Sequence, residues 1–181
     1  AIDLLEKTLK TESLSTIQKG NLYTNLGNNY LVSTQGFSTF NPNNFNKAEN
    51  AYLKSISLLK NDKSQVENLS KTYRNLSQLK LNSDLKTAND YFEKAKIEFA
   101  KLSNVEPRTK AKFYLEEANL LFRQEKLSET NKKISDVFKV LIPNYSAKKS
   151  FLPNKNLLYA ETTFLDAFDL HYFMDEKTPN S

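Results

Sequence analysis

The sequence predicts an all-α protein of about eight helices, mostly joined by short turns into antiparallel pairs. Three observations carry this. Apolar residues recur at three- and four-residue spacing almost throughout, the period of a helix face. Helix-breaking residues are scarce, with three Gly and five Pro in 181 residues. No window of strict apolar–polar alternation is long enough to demand a strand.

The elements follow in order. Ala1 to about Lys10 places Leu5 and Leu9 four apart, one helical turn. A second helix, about Ser15 to Thr34, carries Leu22, Tyr23, Leu26, Tyr30 and Leu31, and Gly36 is placed to end it. The following segment, GFSTFNPNNFNK, is the richest in turn residues. About Asn46 to Leu59 is helical, and Asp62 or Ser64 can cap the helix that follows the LKNDKS turn. That helix runs from about Gln65 to Leu81, until Asn82-Ser83-Asp84 breaks it, and another spans about Leu85 to Leu102. Pro107 fits the first turn of the next, which ends near Gln124. Leu127 to Leu141 is closed by Ile142-Pro143-Asn144, YSAKKSFLPNKN is a loop, and the last helix spans about Leu157 to Met174.

Composition excludes many chemistries. Without Cys there is no disulfide, thiolate metal site or cysteine nucleophile. A single histidine, His171, rules out a His-rich metal site, and its neighbours Asp166 and Asp169 lack further ligands to complete one. The glycines are too dispersed for a phosphate-binding loop. Neither catalysis nor a cofactor or metal is therefore expected. Apolar runs are too short to span a membrane, and the chain starts at Ala1, so any signal peptide would lie upstream. The net charge of +5 is uneven: residues 131–156 carry six Lys and one Asp, whereas 157–181 carry five acids and one Lys.

The chain also repeats. AIDLLEKTLK at 1, AENAYLKSIS at 48, ANDYFEKAKI at 88 and TNKKISDVFK at 130 align at spacings of 47, 40 and 42 residues. Each begins with a small residue and puts a large apolar one four positions on: Leu5, Tyr52, Phe92 and Ile134. Small against large is how two helices approach closely. The helices before them share Tyr23-x-x-Leu26-Gly27-x-x-Tyr30, with weaker versions at Tyr73-x-x-Leu76-Ser77 and Tyr114-x-x-x-Ala118. Gly27 is expected at a tight helix–helix contact.

This combination resembles the tetratricopeptide repeat (TPR), a helix–turn–helix unit, in an extended form of about 42 residues. The resemblance covers residues 1–142 as the second helix of one repeat and three further repeats, departing by an insertion around residues 34–46 and by Thr130 in the third. It implies a right-handed superhelical solenoid over 1–142, a loop over 143–156 and a capping helix within 157–181. It also implies a concave groove binding a protein or peptide, acidic ones included. The matching groove positions are Asn21, Thr24 and Asn28, then Lys71, Arg74 and Gln78, then Lys112, Asn119 and Phe122 with Arg123. Asn28, Asn75 and Lys112 match part of a carboxylate-clamp pattern, but Thr24 and Glu116 replace its other cations, which argues against a chaperone-tail clamp. The segment NLLYAETTFLDAFDLH is similar to the stretch joining TPR arrays to a caspase-like CHAT peptidase domain in some bacterial proteins. That similarity implies a regulatory arm whose peptidase lies beyond Ser181. A third alternative is nucleic-acid binding through the basic stretch 132–155.

Overall fold

The computed structural model describes residues 1–11, 13–35, 42–145 and 161–177. Among them are eight α-helices and no strand: α1 (Ile2–Leu9), α2 (Thr16–Gln35), α3 (Pro42–Leu59), α4 (Val66–Lys80), α5 (Leu85–Phe99), α6 (Pro107–Arg123), α7 (Leu127–Leu141) and α8 (Glu161–Lys177). A single 3₁₀ turn, Lys63–Gln65, leads into α4. The expected Gly36 terminus, most of the 143–156 loop and residues 157–160 of the last predicted helix lie outside the described residues.

Local chemistry sets the helix ends. Asp62 takes the amide of Ser64 at 2.8 Å and its hydroxyl at 2.7 Å, and so starts the 3₁₀ turn. Asp84 caps α5 by accepting from the Thr87 amide and hydroxyl. Those hydrogen bonds favour the ionised form, and both carboxyls titrate below their ordinary range. Pro107 occupies the first turn of α6, where its missing N–H costs nothing. The same logic corrects the start of α3: it begins at Pro42 rather than near Asn46, because a first-turn proline continues into a helix and does not mark a turn. α5 stops at Phe99, short of Leu102, with Ala100 as its C-cap.

The chain forms two compact units, Ala1–Ser103 and Asn104–Ser181. In the first, α2 packs along α3, and α4 along α5. The pairing of α2 with α3 is antiparallel: Gly20 meets Leu59, Thr24 meets Ser55 and Gly27 meets Tyr52. As the α2 position rises, the α3 position falls by the same step. A Cβ on Gly27 would lie 2.5 Å from the Tyr52 ring, so the helices approach this closely only because Gly27 has no side chain. Tyr52 is completely buried beside Leu26, Ala48, Ile56 and Leu76. Ser70 Oγ donates to the Ala95 carbonyl at 3.1 Å and ties α4 to α5. Lys80 pairs with Glu49 at 2.6 Å and joins α4 to α3.

In the second unit α6 pairs with α7 through small residues, Ala111 and Ala118, beside Ile134 and Val137. Glu117 pairs with Lys133 at 2.7 Å across this contact. α8 packs on both α6 and α7 and buries Phe164, Ala167, Leu170 and Met174, spaced three and four apart. Phe164 packs on Phe138 and Tyr145, with ring centroids 5.2 and 5.4 Å away.

Candidate functional site

The first unit contains a polar seam between α2 and α4. It is built of three rungs about one helical turn apart. At the first, Asn68 Nδ2 donates to Asn21 Oδ1 at 3.0 Å. At the second, the Thr24 hydroxyl lies 2.7 Å from Ser55 and 3.0 Å from Thr72. At the third, Asn28 Oδ1 accepts from Asn75 Nδ2 at 2.6 Å and from the Tyr52 hydroxyl at 2.9 Å. Both positions rise together from rung to rung, so α2 and α4 run parallel.

The middle rung has a direction. Each hydroxyl owns one proton. Thr72 donates its proton to the Asn68 carbonyl at 2.7 Å. It can then accept from Thr24, whose proton has a second acceptor in the Gly20 carbonyl at 3.5 Å, and Ser55 can donate to Thr24. Ser55, Thr24 and Thr72 thus form a relay of buried hydroxyls ending on a backbone carbonyl. Tyr52 contributes to the third rung from its buried ring, and burial raises its phenol well above the ordinary tyrosine value against the opposing effect of a hydrogen bond from Asn75.

These positions revise the groove assignment. Thr24, expected to face a ligand, is 6% exposed and spends its hydroxyl inside the seam. Its spacing from Asn21 and Asn28 was correct for one helix face, but that face packs against α4. Arg74, also expected in the groove, is 7% exposed. Asn21, Asn28 and Gln78 are half-buried and Lys71 is exposed. In the second unit, Lys112 and Arg123 are exposed on α6, Asn119 is half-buried, and Phe122 packs against the unit's own core.

Two stripes run along the seam and include the amides of its outer rungs. On α2 the stripe is Asn21, Asn25, Asn28 and Val32, spaced four, three and four apart, with Asn25 exposed and Val32 68% exposed. On α4 it is Asn68, Lys71, Asn75 and Gln78, spaced three, four and three. The sequence reading missed Asn25, Val32 and Asn68. The signal that could have found them is the amide spacing on α2 and its echo 47 residues later, in Asn21 to Asn68 and Asn28 to Asn75.

The stripes carry six amides, four of them hydrogen-bonded within the rungs, with one ammonium, one apolar terminus and no carboxylate among the eight positions. Of the basic stretch 132–155, Lys133 is held by Glu117 and lies 5.1 Å from the centre of the Tyr114 ring, while Lys132 and Lys139 are exposed. Lys148, Lys149 and Lys155 lie outside the described residues. Among the described residues no group of three His, Asp or Glu side chains could hold a metal ion, and no helix is long and apolar enough to cross a membrane. No family model, curated protein or solved structure matches the chain.

Proposed function

We propose that this chain is a non-catalytic protein-interaction module of TPR-like design, and that the first unit binds an extended, acidic peptide along the α2–α4 seam. The observation that carries the proposal is the parallel seam itself. Two helix pairs, α2–α3 and α4–α5, abut with α4 set against both α3 and α2, and the first helices α2 and α4 keep constant register, which is how helix-hairpin repeats stack into a solenoid. Stacking in that way leaves the first helices lining one continuous face. Here that face is rich in amides, and its single cation, Lys71, pairs with an acid on the ligand.

Selection from a phage-displayed random peptide library tests this. Enriched sequences should carry Asp or Glu and bind the purified chain. Lys71→Glu should weaken them about tenfold, the scale of one charge-assisted contact turned repulsive. Asn25→Ala should weaken acidic and neutral peptides alike, because it removes a main-chain contact. Failure to enrich any sequence from a well-folded chain would overturn the proposal, and so would enriched peptides indifferent to both substitutions.

A further inference from the structure

The second unit has a cavity of about 500 Å³ between one face of α7, the turn that ends it and α8. That size lies within the range of small-molecule sites, roughly 300–1,000 Å³. Its apolar wall is Ile134, Phe138 and Tyr145. Its polar wall includes Lys139, Asn144 and His171, the only histidine of the chain. No Asp or Glu lines it among the described residues.

The walls are held in place by the core beneath them. Phe138 is 3% exposed, and Tyr145 and His171 each meet its ring edge-on, with centroids 5.4 and 6.4 Å away and planes 80° and 81° apart. Tyr145 also stands against the buried Phe164. The imidazole and the phenol ring are therefore positioned by packing before any ligand arrives, so little side-chain ordering remains for binding to supply.

We propose that this cavity binds a carboxylate borne on an aromatic or branched apolar body, with the body on Phe138 and Tyr145 and the carboxylate at Lys139 and His171. The charge balance of the lining decides for an anion: among the described residues it holds an ammonium and an imidazole and no acid to compete for them. The mixed lining decides for an amphiphilic one, since a bare inorganic anion would leave the apolar wall unfilled. The site lies wholly in the second unit, does not depend on the α2–α4 face, and is a separate property of the chain.

The lone histidine supplies the test. Its ring protons give a single set of imidazole signals by NMR in the intact chain, and N-acetylphenylalanine can be titrated against them. The expected result is a saturable shift with a Kd of about 0.1–1 mM, the range open to a fragment of this size. N-acetylphenylalaninamide, which has the same body without the charge, should bind at least about fivefold more weakly. Lys139 is exposed, so Lys139→Gln should keep the fold, checked by its melting curve, and remove the difference between acid and amide. A tetrapeptide ending in Phe separates the two sources of this chemistry. Tighter binding than the free acid assigns the site to a chain terminus, and equal or weaker binding assigns it to a free acid. No shift with any of the three probes, equal affinity for acid and amide, or an unchanged preference in Lys139→Gln would each overturn the proposal.

Discussion

At the scale of single residues, the first unit depends on a glycine and a tyrosine whose roles are set by what lies opposite them. An alanine methyl at position 27 would sit 2.5–2.9 Å from three carbons of the Tyr52 ring. That ring is fully buried and held through its hydroxyl by Asn28, so it has little room to swing. Overpacking of this kind costs about 1–3 kcal/mol, and the better helix propensity of Ala returns up to about 1. Gly27→Ala should therefore lower stability by about 1–2 kcal/mol in urea unfolding. Gly20→Ala meets Leu59, as buried as Tyr52, with its Cγ 2.6 Å away, and should cost a comparable amount. Tyr30 makes a pH prediction. Its hydroxyl donates to Glu6, and burial, together with that carboxylate, pushes its pKa up to about 12. The folded state thus holds the phenolic proton more tightly than the unfolded chain, where it leaves near pH 10. The stabilisation is complete below pH 10 and lost as the pH rises from there to about 12. Chemical unfolding across that range should show a steeper alkaline decline in the natural chain than in Tyr30→Phe.

At the scale of elements, the turn between α6 and α7 carries a correctable strain. Glu125 has φ 61°, in the left-handed region that costs a non-glycine residue roughly 1–2 kcal/mol. The hydrogen bonds explain why it stays there: the Lys126 amide reaches the Leu121 carbonyl and the Glu125 amide reaches that of Phe122, both at 3.0 Å. This is the Schellman ending of a helix, whose left-handed residue is usually Gly. Glu125→Gly should raise stability by about 0.5–1 kcal/mol after the greater freedom of glycine in the unfolded chain is subtracted. Thermal melting checks the sign, and Glu125→Ala, with its Cβ retained, should not reproduce the gain. Helix identity was legible in the sequence because spacing and the scarcity of breakers agree along the whole chain. Helix neighbours were less so. Thr24 has the spacing of a groove residue, yet a short polar side chain reads the same whether it faces water or another hydroxyl. Only the pairing with Thr72 and Ser55, far away along the chain, separates the two.

At the scale of the whole molecule, periodicity and compactness divide the chain differently. The repeat spacing continues across residue 103, from Ala88 to Thr130, and nothing in Ser103-Asn104-Val105 distinguishes that connection from any other turn. A repeat is recognised by what each helix pair buries within itself, whereas a unit is defined by which pairs share a core. The first unit's core draws on α2, α3 and α4, with α1 packed on α2, and the second's on α6, α7 and α8. In the second, α8 supplies Phe164, Ala167, Leu170 and Met174, so it completes a core as well as covering the end of a helix pair. Each unit should then fold without the other. Residues 1–103, produced alone, are expected to keep α2–α5 helical and to melt cooperatively by circular dichroism. Residues 104–181 should do the same less stably, since so short a chain buries a smaller share of its surface. Phe164→Ala provides the control: removing a fully buried ring costs about 3–5 kcal/mol, enough to unfold so small a unit. If 104–181 is equally helical with and without that ring, α8 is not part of its core. If 1–103 fails to melt cooperatively, its core depends on the rest of the chain.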